Sequence, residues 1–228
     1  GPLVTECRAT GSSTYVIEAG RLRHPFNYIR TVRSIASLAR RVQVDALLGW
    51  MSKGQIYGGV AALLAGLPSF WFQHGLPADI HWLDRLATLL PATTVLTCSA
   101  AGARMQENIW PYRRTAVAHP GTDLRRFSPD TFPDQKTVRS SLGLPMNVPI
   151  ITIVGRLQRW KGIHVFIEGM HHVLRRYPDA LGIVVGGEHP LEPEYTDHLK
   201  SLIDRLGLEK NVKMVGFQSN VPDWMYAA

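Results

Sequence analysis

Cysteine is scarce in this sequence of 228 residues: Cys7 and Cys98 lie far apart and form no Cys-x-x-Cys spacing. The sequence therefore disfavours a disulfide scaffold and a cysteine zinc knuckle, and it fits a reducing compartment. The nine histidines show neither His-Glu-x-x-His nor another metal-ligand spacing. We therefore predict no structural metal ion.

Two common phosphate-binding motifs are also missing. The sequence contains neither Gly-x-x-x-x-Gly-Lys-Ser/Thr nor Gly-x-Gly-x-x-Gly. The first is the loop of P-loop nucleoside triphosphatases and the second is the dinucleotide-binding fingerprint of Rossmann domains. A phosphate site in this protein must therefore be built in another way.

Charge is absent from Gly54 to Ala78, where no Asp, Glu, Lys or Arg occurs. This stretch is long enough to suggest a membrane span, but Pro68, two glutamines and five glycines interrupt it. We predict instead a helix over Gly54 to Ala65, a turn, and a buried strand over Ser69 to Gln73.

The net charge of +7 is unevenly distributed. Residues 1–126 contain 14 lysines and arginines against 7 acidic residues, whereas residues 127–228 contain 11 of each. This asymmetry suits an anionic partner, namely a phosphorylated acceptor, an acidic membrane surface or a nucleic acid, but it equally suits a solvated basic face. Four arginines accompany the amphipathic pattern from Phe26 to Val42 and are expected on a helix exterior: Arg30, Arg33, Arg40 and Arg41.

Strand-like runs alternate with helix-length amphipathic segments, which predicts an α/β fold with parallel sheets. The predicted strands are Thr14–Glu18, Asp45–Trp50, Ser69–Gln73, Thr94–Cys98, Thr115–His119, Ile150–Val154, Leu181–Val185 and Val212–Val215. Ser99 is placed to cap a helix over Ala100 to Asn108. A stretch rich in Pro, Gly, Asp and Ser at residues 119–134 separates two units. We place the domains at residues 1–126 and 136–228, with a linker at 127–135.

Arg156 and Lys161 follow the predicted strand Ile150–Val154, in a turn that also contains Gly155 and Gly162. Ligands of open parallel sheets bind beyond the carboxyl ends of the strands. Glycine lets the backbone come close to a ligand, and the start of the following helix adds positive potential. The two cations therefore indicate an anion site that a diphosphate fits best; alternatively, both side chains only solvate the loop.

His74 directly follows the predicted strand Ser69–Gln73, so it also lies at the carboxyl end of a strand. A neutral imidazole there is able to exchange a hydrogen bond with a sugar hydroxyl. The alternative is a histidine that only packs at the margin of the core. His81, His171 and His172 have weaker claims to such a role.

Four segments of the sequence carry a family resemblance in their shared order. They are Phe72-Gln-His-Gly; His119-Pro-Gly-Thr-Asp-Leu-Arg-Arg-Phe-Ser-Pro; Val154-Gly-Arg-Leu-Gln-Arg-Trp-Lys-Gly; and Asn211-Val-Lys-Met-Val-Gly-Phe, followed by Met225-Tyr-Ala-Ala. With them the chain resembles the family 4 glycosyltransferases, retaining enzymes of the GT-B fold that use nucleotide sugars. His119 stands where the family usually has Asn.

The resemblance implies two Rossmann-like parallel-sheet domains, an N-terminal one for the acceptor and a C-terminal one for the nucleotide sugar. Arg156 and Lys161 would hold the donor diphosphate and offset charge on the leaving nucleotide. Gly155 would permit the close approach, His74 would line the anomeric centre or the acceptor, and the backbone near Gln218 would edge the base. The reaction would retain the anomeric configuration and need no metal ion or other cofactor.

Two family features, a Glu-x7-Glu motif and a glycine-rich first loop, do not occur between Gly1 and Ala228. We therefore expect an internal part of a longer enzyme, with both domains incomplete and the fragment itself inactive. The expected partners are a nucleoside-diphosphate sugar and a glycan or lipid-linked acceptor, with no nucleic acid. The expected location is the cytoplasm, with peripheral membrane contact through the basic N-terminal half.

Alternative functions stay open at this point. A nucleotide-sugar 2-epimerase or a phosphorylase-like enzyme has the same two-domain architecture, although we identify no lysine for the pyridoxal phosphate of a phosphorylase. A noncatalytic module that binds a nucleotide sugar or another anion is a further alternative. Such a module and a transferase differ in whether the complete gene encodes the Glu-x7-Glu motif.

Overall fold

The computed structural model describes residues 2–75 and 82–228. The chain divides into two compact units, Gly1–Gly121 and Thr122–Ala228, and the division falls within the predicted Pro-, Gly-, Asp- and Ser-rich stretch. Each unit has its own parallel β-sheet and its own helices. The predicted α/β class with two parallel sheets is therefore confirmed.

The first unit contains a four-stranded parallel sheet in the order β1-β2-β3-β4. Its strands are β1 (Leu47–Trp50), β2 (Ser69–Gln73), β3 (Thr94–Thr97) and β4 (Thr115–Val117). Its helices are α1 (Pro2–Ala9), α2 (Pro25–Arg41), α3 (Met51–Ala65), α4 (Trp82–Leu89) and α5 (Ala100–Glu107). Because the strands are parallel, their carboxyl ends all lie at one edge of the sheet.

The charge-free stretch of the sequence forms the centre of this unit, as α3 and β2. Trp71 of β2 is fully buried and packs with Ile56 of α3. A side chain at Gly49 of β1 would place its Cβ 2.7 Å from the Cα of Gln55. Glycine therefore lets α3 approach β1 more closely than any other residue would.

Helix α2 forms where the amphipathic pattern predicts it, but Phe26, Ile29 and Val42 of that pattern are 87%, 45% and 38% exposed. Its buried face consists of Thr31, Val32, Ala36 and Ala39. The four arginines of this helix, Arg30, Arg33, Arg40 and Arg41, are all exposed. Within residues 2–75 and 82–228, every helix is too short or too polar to cross a lipid bilayer.

The second unit contains a three-stranded parallel sheet in the order β5-β6-β7. Its strands are β5 (Ile150–Val154), β6 (Leu181–Val185) and β7 (Val212–Gly216). Its helices are α6 (Leu124–Phe127), α7 (Gln135–Ser141), α8 (Ile163–Leu174), α9 (Glu194–Arg205) and α10 (Val221–Tyr226). Short 3-10 turns occur at Pro129–Thr131 and Arg159–Lys161.

Helices cover both faces of the second sheet, which explains the unbroken apolar sequence of β6. All five residues of β6 are buried. Val184 packs into a core with α8 and α9. Ile183 and Val185 point to the opposite face and pack with Val138 of α7 and Trp224 of α10. Successive side chains of β6 therefore serve two cores, as the period of a strand requires.

The predicted strand Thr14–Glu18 is wrong. These residues have irregular backbone and do not pair with any described strand. Tyr15 and Val16 are 52% and 67% exposed. The residue types favour a strand, but β propensity reflects packing on a sheet surface, which this segment lacks.

Candidate functional site

The loop between β5 and α8, residues 155–162, lies at the carboxyl edge of the second sheet. Leu157 is only 4% exposed and anchors the loop in the core beneath α8 and α9. The amide of Gly155 donates to the carbonyl of Val185 at 2.9 Å, and the amide of Leu157 donates to the carbonyl of Gly187 at 3.0 Å. The end of β6 therefore determines the path of this loop.

Two residues near the start of α9 make hydrogen bonds to the second half of the loop and to the first turn of α8. The Glu192 carboxylate accepts from the Arg159 amide at 2.9 Å and from Gln158 Nε2 at 3.3 Å. The hydroxyl of Tyr195 accepts from the His164 amide at 3.2 Å and lies 2.7 Å from His164 Nδ1. Tyr195 is fully buried, and this burial raises the pKa of its hydroxyl.

Arg156 and Lys161 are both exposed in this loop. The Arg156 guanidinium makes no hydrogen bond or ion pair with any residue in ranges 2–75 and 82–228. The Nζ of Lys161 lies 3.8 Å from the centroid of the Trp160 ring, a cation–π contact. The two positive side chains thus share one loop, and neither has a carboxylate partner among the described residues.

The start of α8 adds to the positive potential of the loop. Gly162 caps this helix with a left-handed φ of 71°, without a side-chain hydrogen bond. The first turn of α8 contains no acidic residue. Because the amides of a first helical turn point outward, this end of α8 favours an anion.

Two glycines of this edge differ in what the packing of the protein demands. A Cβ on Gly186 would lie 1.8 Å from the carbonyl oxygen of Gly155, so no other residue fits there. A Cβ on Gly155 would meet only methylenes of Lys161, at 3.8 and 3.9 Å, which is ordinary contact. The protein itself therefore leaves room at Gly155 that a ligand is able to occupy.

Gln218 follows β7 at the same edge of the second sheet. Its Nε2 donates to the carbonyl of Val215 at 2.8 Å, so the side chain folds back on its own strand. The amide of Gly186 donates to the carbonyl of Gly216 at 2.9 Å, which joins the ends of β6 and β7. The backbone near Gln218 thus lies after β7, next to the loop that contains Gly186 after β6. The loop that contains Gly155 follows β5, on the other side of β6.

His74 lies in the first unit, at the carboxyl edge of the other sheet, and its side chain is exposed. Its Nδ1 is 3.3 Å from the Sγ of Cys98, and its ring centroid lies 5.7 Å from that of Trp50 and 5.9 Å from that of Phe72. These contacts occupy Nδ1 and leave Nε2 without a hydrogen bond to any described residue.

The residues around His74 lie at or after the carboxyl ends of the other three strands of this sheet. Trp50 ends β1, Cys98 follows β3, and His119 follows β4, with its Nδ1 3.0 Å from the Cys98 carbonyl oxygen. Sequence reasoning missed Trp50 and Cys98 as neighbours of His74, although their positions at strand ends were the available signal. His81 lies outside the described residues. Across ranges 2–75 and 82–228, no group of three His, Cys, Asp or Glu side chains is arranged to hold a metal ion.

The sequence of the second unit is similar to a known protein family. Residues 134–228 match the family model for glycosyl transferases group 1. The matched residues cover most of the second unit. The D-inositol 3-phosphate glycosyltransferase of Corynebacterium urealyticum is 35% identical over 104 residues, which is 45% of this chain and 24% of that protein.

A second curated relative also contains a glycosyltransferase segment. The lipopolysaccharide core biosynthesis mannosyltransferase LpsB of Rhizobium meliloti is 30% identical over 113 residues, which is 50% of this chain and 31% of that protein. The matches to these two relatives thus span about a quarter to a third of their own length.

Solved structures show the same architecture. Anabaena Alr3699/HepE in complex with UDP has a TM-score of 0.81 at 24% identity, covering 100% of this chain and 62% of that one. A glycosyltransferase from Rickettsia africae ESF-5 has a TM-score of 0.81 at 18% identity, covering 100% and 61%. These likenesses confirm the predicted α/β fold with two parallel sheets.

Proposed function

We propose that this chain is part of a family 4 glycosyltransferase that moves a sugar from a nucleoside-diphosphate sugar to an acceptor hydroxyl with retention of configuration. The observation that carries this proposal is the loop after β5. There, Arg156 and Lys161 are exposed in the loop that contains Gly155 and leads into α8, whose first turn contains no acidic residue. This arrangement offers a guanidinium, an ammonium and helix amides to a diphosphate.

Each residue of this loop has a distinct role in the proposal. Arg156 and Lys161 hold the diphosphate oxygens and offset the negative charge that grows as the nucleotide leaves. Gly155 lets the diphosphate approach the backbone, because its packing leaves that space open. The backbone near Gln218 borders the base.

Charge balance in the proposed reaction requires no metal ion. The acceptor oxygen forms a bond to the anomeric carbon on the face from which the phosphate oxygen departs. The acceptor proton passes to an oxygen of the departing diphosphate. His74 lines the anomeric centre or the acceptor, with its Nε2 available for a hydrogen bond to a sugar hydroxyl.

A uridine nucleotide is the first donor to test. Alr3699/HepE, which shares the fold of this chain, has been solved with UDP and with UDP-glucose. Fold similarity does not fix a ligand, so the choice of UDP-sugar rests on the analogy alone.

For the acceptor we propose a glycan or a lipid-linked glycan that is modified in the cytoplasm. The names of the relatives include inositol phosphate and lipopolysaccharide core, both of them polyhydroxylated acceptors. Peripheral contact with an anionic membrane would use the exposed arginines of α2. Cosedimentation with vesicles that contain an anionic lipid, compared with neutral vesicles, tests this contact.

The test of function uses the full-length product of the gene that encodes this sequence. It is incubated with UDP-sugars and candidate acceptors, and nuclear magnetic resonance reports the anomeric configuration of donor and product. Release of UDP with a retained configuration is expected. An inverted product would refute retention, and a 2-epimerised sugar nucleotide would favour the epimerase. Binding of UDP without turnover of any donor would favour a noncatalytic module.

A further inference from the structure

An apolar cavity of about 350 Å³ lies within the first unit, and its wall contains none of the residues of the proposed transferase site. Its wall includes Leu22, Tyr28, Ile56, Leu86 and Leu90. These residues come from the segment before α2, from α2 and α3, and from α4 and its end. Small-molecule sites typically occupy clefts of roughly 300–1,000 Å³, so this cavity has the size of a ligand site.

The described wall of this cavity suits an apolar ligand group. Tyr28 supplies a hydroxyl, but it donates to the Ile56 carbonyl at 2.9 Å. Burial, reinforced by the neighbouring Tyr57, raises the pKa of Tyr28 and keeps it neutral. A sugar or a nucleobase would lose hydrogen bonds to water here, whereas a hydrocarbon chain would lose none.

A second cavity of about 360 Å³ adjoins the first and shares Leu22, Arg23 and Trp82 with it. It adds Arg21 and Lys53 to its wall. The Arg21, Arg23 and Lys53 side chains are exposed and make no hydrogen bond or ion pair with the described part of the chain. This end of the paired cavities therefore has three cationic side chains in its wall.

The nearby carboxylate of Asp84 does not pair with these cations. Its Oδ1 accepts from Gln73 Nε2 at 3.0 Å and from the hydroxyl of Ser52. These two hydrogen bonds hold the carboxylate against the ends of β2 and β1. The cations of the second cavity therefore lack a counter-ion among the described residues.

The positive end opens at the carboxyl edge of the first sheet. Lys53 lies in the first turn of α3, directly after β1, and Trp82 begins α4, which follows β2. Crossover helices start at the carboxyl edge, so both residues lie at the same edge as His74. The apolar cavity extends from there towards Leu90, at the far end of α4.

We propose that the paired cavities bind an amphipathic anion, a hydrocarbon chain that ends in a phosphate. The chain occupies the apolar cavity, and Arg21, Arg23 and Lys53 bind the phosphate. This inference deepens the proposed function and rests on it in one respect: a ligand at this edge of the sheet, where His74 also lies, is the acceptor or its lipid carrier.

Calorimetry on the full 228-residue chain tests the site with octyl and decyl phosphate below their micelle concentrations. The comparison ligands are decanol and inorganic phosphate. Decyl phosphate is expected to bind most tightly, with a gain of up to about fourfold per added methylene as apolar surface is buried. Decanol lacks the phosphate and inorganic phosphate lacks the hydrocarbon chain. Each is therefore expected to bind at least about tenfold more weakly than decyl phosphate.

Matched double variants separate the site from general basicity. Arg21→Ala with Arg23→Ala removes two charges at the cavity, and Arg104→Ala with Arg114→Ala removes two exposed charges elsewhere in the same unit. We expect the first pair to weaken decyl phosphate at least about tenfold and the second by less than about twofold. All four residues are exposed, so circular dichroism should show an unchanged fold.

Two results would overturn the site: affinity that does not change with chain length, or equal losses in both double variants. UDP titrated into the same preparation distinguishes the proposed lipid phosphate site from the proposed nucleotide site. If UDP binds and decyl phosphate does not, the lipid phosphate site is wrong while the nucleotide site stands. If decyl phosphate binds and UDP does not, the nucleotide site assigned to Arg156 and Lys161 is wrong while the cavity keeps its ligand class.

Discussion

Gly155 and Gly186 lie against each other at the carboxyl edge of the second sheet, and each lacks a side chain for a different reason. Gly186 must be glycine because its Cβ would overlap the Gly155 carbonyl. Gly155 has room for a Cβ, so packing does not explain the glycine there. We attribute it to the close approach of a diphosphate.

This difference predicts opposite outcomes for two alanine substitutions. Gly186→Ala should lower the free energy of unfolding by about 1–3 kcal/mol, as overpacking does. Gly155→Ala should leave that free energy nearly unchanged and weaken UDP binding at least about tenfold. Urea denaturation and calorimetry measure the two effects. Normal UDP affinity in Gly155→Ala would remove the explanation for this glycine.

His74 permits a second test at the residue scale. His74→Ala should lower turnover of the full-length gene product at least about tenfold, since a positioned imidazole is lost. UDP affinity should stay the same because the proposed nucleotide site is built from second-unit residues. Cys98→Ala, which removes the thiol contacts to Nδ1 and to the carbonyl oxygen of His74, is the matched control and should have a smaller effect. A loss of folding in His74→Ala would show that the histidine has a packing role.

The positions of individual site residues follow from the sequence only in part. Arg156 and Lys161 are predictable because the apolar run of β5 ends on a glycine, which marks a strand end. The ties of this loop to Glu192 are not, because they join residues more than thirty positions apart. The neighbours of His74 depend likewise on the register of three strands.

Helix caps and contacts between helices stabilise the elements next to the candidate site residues. At the start of α5, the Ser99 hydroxyl accepts from the Gly102 amide at 3.1 Å, which confirms the predicted cap. Between α8 and α9, the hydroxyl of Tyr195 contacts both the amide and the ring of His164. Both contacts lie next to a carboxyl edge of a sheet.

The cap of α5 is testable by substitution. Ser99→Ala should lower the free energy of unfolding by about 1 kcal/mol, because the first turn loses an acceptor. Ser99→Asp, which restores an acceptor and suits the helix dipole, should recover most of that loss. Thermal or urea denaturation gives both values. Equal stability of Ser99→Ala and the wild type would show that the cap contributes nothing.

Tyr195→Phe tests the contact between α8 and α9 and carries a pH dependence. Losing the hydroxyl should cost about 1 kcal/mol at neutral pH. Burial raises the pKa of Tyr195 in the folded protein, so the unfolded chain loses this proton first as pH rises. The stability due to this group is complete below the ordinary pKa of about 10 and falls above it.

Denaturation measured between pH 8 and pH 11 separates the two proteins. The wild type should lose stability more steeply above about pH 10 than Tyr195→Phe does. Tyr28, whose pKa is also raised by burial, is present in both and cancels in the comparison. Parallel profiles would contradict the assignment of the shift to Tyr195.

Whole elements were more predictable than the contacts between them. The bounds of β2, β5 and β6 follow from the sequence because each is a short apolar run in a parallel sheet. Thr14–Glu18 has a similar composition but no strand beside it among the described residues. The buried residues of α9, Tyr195, Leu199 and Leu202, follow helical spacing in the sequence, whereas their packing partners on α8 and the sheet do not follow from it.

At the scale of the whole molecule, each unit places its distinctive side chains at the carboxyl edge of a parallel sheet. At this edge the first unit has His74 and the cationic end of the paired cavities, and the second unit has Arg156 and Lys161. The GT-B fold by itself does not fix a reaction, since one fold serves many functions. The account of function therefore depends on what the two cations of the β5–α8 loop bind.

Calorimetry of UDP binding to four proteins tests that claim most directly: the wild type, Arg156→Ala, Lys161→Ala and Lys213→Ala. Lys213 is exposed near the amino end of β7, so its variant removes the same charge at the opposite end of the sheet. The account predicts that the two loop variants each lose about 2 kcal/mol of binding free energy, about thirtyfold in affinity, while Lys213→Ala binds as the wild type does. Equal UDP affinity in all four proteins would contradict it.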